Sequence, residues 1–121
     1  MIDEYQKYLV QTVNELSKVG FKLIEDSDYI ARFEHKDGWQ LSLEGERFNR
    51  PLIDIDVTPP KENQGFSLRI LMNTYQKLEN IQQPPPSLVN QLSFFKANFD
   101  GWLLSVGKYK QIYKEINESF F

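Results

Sequence analysis

The feature that most constrains this sequence is a series of short segments between residues 21 and 57 in which apolar and polar side chains alternate. Such alternation over about four to eight positions is typical of a β-strand with one buried face. We predict strands at residues 21–25, 29–35, 39–44 and 52–57. Pro59 and Pro60 end the last of them, because proline has no backbone N–H to donate to a sheet ladder.

The register of the second and third strands follows from the turn between them. A two-residue turn would place Phe33 opposite Ser42 and so mix apolar and polar side chains on one face. A three-residue loop over residues 36–38 instead pairs Phe33 with Leu41. It also places Gly38 where such a loop needs a left-handed backbone conformation. We therefore predict the three-residue loop.

Helical periodicity precedes these strands and returns after them. Residues 3–19 carry apolar side chains at steps of three and four, and Gly20 suits the position after a helix. Residues 66–80 fit both a strand followed by a helix and a continuous helix. We predict a strand to about Met72 and a short helix after Asn73.

Two further helices are predicted near the end of the sequence. Ser87 follows three prolines and suits the N-cap of a helix with Leu88, Leu92, Phe95 and Phe99 on one stripe. A last helix is predicted from about Asp100. Most aromatic side chains of this part suit a core, whereas Phe94 and Phe121 fit the stripes less well and are candidate dimer or partner contacts.

The order of these segments predicts an α+β fold in a single domain, residues 1–121. It consists of an N-terminal helix, an antiparallel meander of four or five strands, and C-terminal helices packed on one sheet face. A chain of 121 residues is of ordinary domain size. The other face of the sheet is then expected to be solvated.

The charge of the chain favours a basic partner over nucleic acid. The net charge is −3, with 13 acidic and 8 basic side chains in residues 1–66 but 4 and 6 in residues 67–121. Nucleic-acid binding depends on basic side chains that neutralise phosphates. The N-terminus shows no apolar signal-like run, and no stretch suits a membrane span. We expect a cytoplasmic protein without nucleic-acid or membrane partners.

The predicted outer sheet face concentrates the acidic side chains. Inward positions for Ile53, Ile55 and Val57 leave Asp54 and Asp56 outward, beside Glu44, Arg32 and Glu34, with Ser67 and Arg69 on the next strand. Three interpretations remain: cross-strand ion pairs such as Arg69 with Asp54 or Asp56, a recognition face for a basic protein, and a divalent-metal site formed by Glu44, Asp54 and Asp56.

The segment between the third and fourth strands is a second candidate for contact with a partner. It carries Glu46, Arg47, Phe48 and Arg50, with Gly45 as a possible bulge. Loops on a rigid scaffold often recognise partners, although a merely polar hairpin end has the same composition. Our site hypothesis is therefore a partner-binding set, which comprises Glu44, Glu46, Arg47, Phe48, Arg50, Asp54 and Asp56.

Residues for catalysis are sparse in this sequence. It contains no cysteine and a single histidine, His35, which we expect to be a solvated side chain at a hairpin tip. A general base needs a nucleophile and an orienting group nearby, and no Gly-x-Ser-x-Gly motif supplies one. We expect no enzyme activity and no cofactor or resident metal.

The chain resembles the small immunity proteins of bacterial toxin systems in size, acidity, lack of cysteine and order of elements. The resemblance includes the proline-rich break before the helix entry Ser87-Leu88-Val89-Asn90-Gln91-Leu92-Ser93-Phe94-Phe95. It implies a cytoplasmic inhibitor, monomeric or homodimeric, that binds a cognate toxin domain and blocks its active site. The alternatives are a small carboxylate- or metal-dependent enzyme, a ligand-binding protein, and an oligomeric scaffold.

Overall fold

The computed structural model describes residues 1–63, 65–99, 101, 111 and 114–118. The chain forms two compact units, Met1–Ser67 and Leu68–Phe121, and each is described here by itself. That the whole chain is one domain, with its C-terminal helices packed on the sheet, stays a prediction.

The first unit begins with a 3-10 turn, Asp3–Tyr5, followed by helix α1, Gln6–Ser17. Tyr5, Leu9 and Leu16 are buried along one side of this segment, as the periodicity predicted. Gly20 has a φ of +85° and takes the left-handed conformation expected after a helix. The predicted N-terminal helix is therefore confirmed.

A five-stranded antiparallel sheet follows α1 in the same unit. Its strands are β1 (Phe21–Asp26), β2 (Ile30–His35), β3 (Gln40–Gly45), β4 (Ile53–Thr58) and β5 (Phe66–Ser67). The strands lie in chain order, so the sheet is a simple meander. The α+β class and the five-stranded form of the meander are thus confirmed.

The predicted hairpin register is also confirmed. Phe33 pairs with Leu41 and Ala31 with Leu43. The loop has three residues, and its Gly38 has a φ of +96°. Because side chains alternate across a strand, this register places the apolar residues of β2, β3 and β4 on one buried face: Ala31, Phe33, Leu41, Leu43, Ile53, Ile55 and Val57.

In the second unit, the first helix differs in its bounds from the prediction. Helix α2 spans Leu68–Glu79, so the predicted strand to Met72 is wrong and only Phe66–Ser67 is extended. Leu68, Leu71 and Met72 are buried at helical steps, whereas Ile70, which the strand pattern placed inward, is half-buried. The helical period therefore describes this segment.

Helix α3, Leu88–Asn98, begins where the sequence predicts. The Ser87 hydroxyl accepts a hydrogen bond from the Asn90 backbone N–H at 3.2 Å, which confirms the N-cap. Phe94 is only 5% exposed and its ring packs edge-on against Tyr75, so its assignment as a surface contact is wrong.

The predicted last helix falls mainly on residues outside those that the structure describes. Residues 114–118 are helical, and Ile116 among them is buried. The candidate contact Phe121 and the aromatic positions Trp102, Tyr109, Tyr113 and Phe120 lie outside the described residues.

Candidate functional site

The outer face of the sheet carries polar side chains from three adjacent strands. Residues of β2, β3 and β4 alternate between buried inner positions and outer positions that are half-buried or exposed. In the observed register Glu44 lies opposite Asp54, and Ser42 lies opposite Asp56. The sheet thus brings Glu44, Asp54 and Asp56 together, as the sequence predicts, and we call these three residues the acidic cluster.

Within the acidic cluster, the surroundings of Glu44 change its titration. Its pKa is raised to about 7, first because burial penalises the charged carboxylate, and second because it shares a side-chain hydrogen bond with Asp56. The negative charges of Asp56 and Asp54 raise the pKa further, whereas the positive charge of Arg32 lowers it. Near neutral pH, Glu44 therefore exists in both its protonated and its charged form.

Basic side chains on this face are fewer than the sequence suggests. Arg32 lies on β2, and its Nε is 2.9 Å from a carboxylate oxygen of Glu25 on β1. Arg69, predicted on the last strand of the face, instead belongs to helix α2, because the strand ends at Ser67. The sheet itself therefore presents a face on which acidic side chains predominate.

A loop over residues 46–52, which we call the contact loop, joins β3 to β4 directly beside the acidic cluster. Glu46 N–H donates to the Leu52 carbonyl oxygen at 2.8 Å, and Leu52 N–H donates to the Asn49 carbonyl oxygen at 3.0 Å. The Tyr5 hydroxyl adds a hydrogen bond to the Glu46 carbonyl oxygen at 2.6 Å, and the Leu52 carbonyl lies 3.2 Å from the same hydroxyl. Tyr5 therefore holds both ends of the loop.

The absence of a side chain at Gly45 allows the Tyr5 ring to approach the contact loop. A Cβ atom at position 45 would lie 2.6–2.9 Å from three atoms of the Tyr5 ring, closer than any ordinary contact. Burial is the main cause that raises the pKa of Tyr5, whose side chain is fully enclosed. The sequence offered Gly45 as a bulge in a polar hairpin end, but the feature that requires glycine is the approach of this ring.

The tip of the contact loop presents an exposed aromatic side chain beside an arginine. Phe48 is 86% exposed. The guanidinium carbon of Arg47 lies 5.8 Å from the ring centroid of Phe48 and 5.8 Å from that of Tyr29. At these distances cation–π attraction orders the arginine over both rings.

The two remaining loop residues of the predicted set also have defined positions. Glu46 is exposed at the start of the loop, and Arg50 pairs with Glu4 at the start of the chain, with Nε 3.4 Å from a carboxylate oxygen. Gly45 pairs with Ile53, one step from the Glu44–Asp54 pair. All seven predicted residues therefore lie at one end of the β3–β4 hairpin or along it.

His35 differs from its predicted environment. It is 9% exposed, and its ring centroid lies 5.1 Å from that of Phe21. Its Nδ1 accepts a hydrogen bond from the Asp37 backbone N–H at 3.1 Å. The expectation of a solvated turn histidine is therefore wrong, because the strand continues through His35 and turns its side chain inward.

Two features of the described residues bear on the other interpretations of the sequence. No group of three or more histidine, cysteine, aspartate or glutamate side chains within these residues is arranged to hold a metal ion. Their helices also lack the combination of length and hydropathy that crossing a bilayer requires.

Comparison with models of protein families, with curated protein sequences and with solved structures gives no match to this chain. The resemblance to immunity proteins and the role of the seven residues therefore stay predictions. The structure adds the contacts of the Tyr5 hydroxyl with both ends of the contact loop. The sequence contains no signal for these contacts beyond the place of Tyr5 on an apolar helical stripe.

Proposed function

We propose that this protein is a non-catalytic binding module that inhibits a basic protein partner, and that this partner is a toxin domain. The observation that carries the proposal is Phe48, which is 86% exposed on a loop held at both ends by Tyr5. A large apolar side chain in water is unfavourable, and aromatic and arginine residues dominate the energy of many interfaces. A braced loop also loses little conformational entropy on binding.

The acidic cluster supports a basic partner rather than an acidic one. Glu44, Asp54 and Asp56 lie next to the contact loop, and Asp54 and Asp56 are half-buried on the same face. Carboxylates at the edge of an interface attract a basic surface and disfavour acidic competitors, and they act mainly on the association rate. In this proposal Phe48 provides most of the affinity, and the acidic cluster increases the association rate.

The inhibitory role rests on the resemblance to immunity proteins and is tested first. The tagged protein is used to recover partners from its own organism, with the products of neighbouring genes co-expressed. We expect one basic protein in stoichiometric amount, whose toxicity disappears when it is bound. A bound partner that keeps its full toxicity would exclude inhibition, and recovery of no partner would argue against the binding role.

The contact loop is then tested with the purified partner. Phe48→Ala should raise the dissociation constant by about 30-fold, the equivalent of about 2 kcal/mol for an interface hot spot. Val10→Ala is the matched control, because Val10 is an apolar side chain that is 56% exposed on helix α1. Equal affinities for the two variants would show that the contact loop is not part of the interface.

The acidic cluster is tested separately by its effect on association. Asp54→Asn combined with Asp56→Asn keeps the side-chain volumes and removes the charges. We expect a slower association rate and a weaker dependence of that rate on ionic strength. Glu62→Gln, at an exposed acidic position in the loop after β4, is the control. An unchanged rate in the double variant would show that the partner binds elsewhere.

A further inference from the structure

An open cavity of about 540 Å³ lies at the end of the sheet away from the contact loop. It is found where β1 and β2 meet the chain after α1, whereas the contact loop follows β3 at the opposite end of the strands. Six residues line it: Gly20, Lys22, Ile24, Glu34, His35 and Lys36. Neither the acidic cluster nor the contact loop contributes to this cavity, so its role is independent of the proposed function.

The charged side chains of the cavity are not engaged with one another. Lys22 lies directly opposite Glu34 in the β1–β2 register, where an ion pair is the ordinary arrangement. Over the residues that the structure describes, however, Lys22, Glu34 and Lys36 form no ion pair. Two lysines and one glutamate therefore line the cavity without an ion pair among them.

His35 lines the cavity, and its neighbours fix its position. The imidazole is nine-tenths buried, and it is held by the Phe21 ring and by the Asp37 N–H that donates to Nδ1. In the neutral ring this leaves the proton on Nε2. That edge packs against Gly20, where a Cβ would lie 3.0 Å from Nε2, so a side chain at position 20 would have to displace the ring.

We propose that this cavity binds a small oxyanion, a carboxylate or a phosphate, between the ammonium groups of Lys22 and Lys36. Ammonium groups form charge-assisted hydrogen bonds with such oxygens, and these are stronger than neutral ones. Glu34 on the wall and Asp37, whose carboxylate lies 3.6 Å from His35 Nδ1, oppose the anion. The anion is therefore expected to bind weakly.

The experiment is a titration of the full chain, followed by the amide chemical shifts, with inorganic phosphate and separately with acetate at constant ionic strength. Saturable shifts are expected at residues 20–24 and 34–37. Lys22→Gln and Lys36→Gln should each raise the dissociation constant by about fivefold or more. Lys18→Gln is the control, because Lys18 is the residue directly after α1 and pairs with Glu15 at 3.2 Å.

Glu34→Gln should change the dissociation constant in the opposite direction to the lysine substitutions. Because its carboxylate repels an anion, its neutralisation should lower the dissociation constant, a result that general loss of structure would not produce. Saturation by phosphate alone or by acetate alone would support the site and identify its ligand class. Shifts that do not saturate, or that are equal in the Lys22 and Lys18 variants, would overturn the proposal.

Discussion

Gly45 is a residue at which one added methyl group should clearly destabilise the first unit. The Cβ of an alanine would meet the Tyr5 ring at 2.6 Å, and that ring is fully buried with its hydroxyl bonded to two carbonyl oxygens. Neither partner can move without the loss of a contact. Gly45→Ala should therefore lower the free energy of unfolding by about 1–3 kcal/mol, measured by urea denaturation.

Gly101→Ala is the matched control for this prediction. A Cβ at position 101 would have no neighbouring atom within 4 Å, and the φ of Gly101 lies outside the left-handed range. Alanine in such a place changes stability by less than about 1 kcal/mol, usually in the favourable direction. Equal destabilisation by the two substitutions would show that the Tyr5 ring is not the cause.

At the scale of elements, the hydroxyl of Tyr5 connects the start of α1 to the contact loop. Tyr5→Phe removes the bonds to the Glu46 and Leu52 carbonyls and keeps the ring over Gly45. The free energy of unfolding should fall by about 1–2 kcal/mol. The amide protons of Glu46 and Leu52 should also exchange faster with solvent, because both lie within the braced loop.

Tyr8→Phe is the control for the hydroxyl, since within the described residues the Tyr8 side chain makes no hydrogen bond. We expect its amide exchange and its stability to match those of the wild type. If Tyr5→Phe leaves the exchange of Glu46 and Leu52 unchanged, the loop is held by its own backbone hydrogen bonds.

The N-cap of α3 gives a prediction within the second unit. Ser87→Ala removes the hydroxyl that accepts from Asn90 N–H and should lower the free energy of unfolding by about 1 kcal/mol. Ser93→Ala, at an exposed position inside α3, should be neutral or slightly stabilising because alanine is the better helix former. Thermal melting of both variants measures the difference, and equal melting temperatures would contradict a capping role.

Elements differ in how far the sequence determines them. The hairpin register was predictable because only one loop length kept Phe33 and Leu41 on the same face. Residues 66–72 were not, since their apolar positions satisfy both a two-residue and a helical period. Helix α2 begins at Leu68, directly after Ser67, a residue type that suits an N-cap, but the two-residue period of the apolar positions runs through this point and favoured a strand.

At the scale of the whole molecule, the acidic cluster was predictable, whereas the contact that holds the neighbouring loop was not. Glu44, Asp54 and Asp56 follow from strand alternation once the register is known. The approach of Tyr5 to Gly45 depends on residues distant in sequence, and periodicity contains no information on such pairs. The inward position of His35, by contrast, continues the alternation of Ala31 and Phe33 along β2. Sequence patterns thus identify which side chains share a face of a strand or helix. The contacts that fix a loop between distant residues are known only from the folded structure.

The raised pKa of Glu44 links the stability of the folded protein to pH. Its value is about 7 in the folded state against 4.5 for an ordinary glutamate, so the folded state binds more protons than the unfolded state between these limits. The stability that this group contributes is complete below pH 4.5 and is lost as the pH rises through 7. Because Glu44 is partly exposed, solvent screening makes the loss smaller than the full shift implies.

Glu44→Gln isolates this effect, since glutamine stays neutral and can still donate a hydrogen bond to Asp56. The melting temperature of the variant relative to the wild type should increase as the pH rises from 5 to about 8, because only the wild type acquires a charge at this position. Glu34→Gln, at an exposed position on the neighbouring strand, controls for the general loss of one negative charge. A difference between Glu44→Gln and wild type that is constant across this pH range would show that Glu44 ionises at the same pH in the folded and unfolded states.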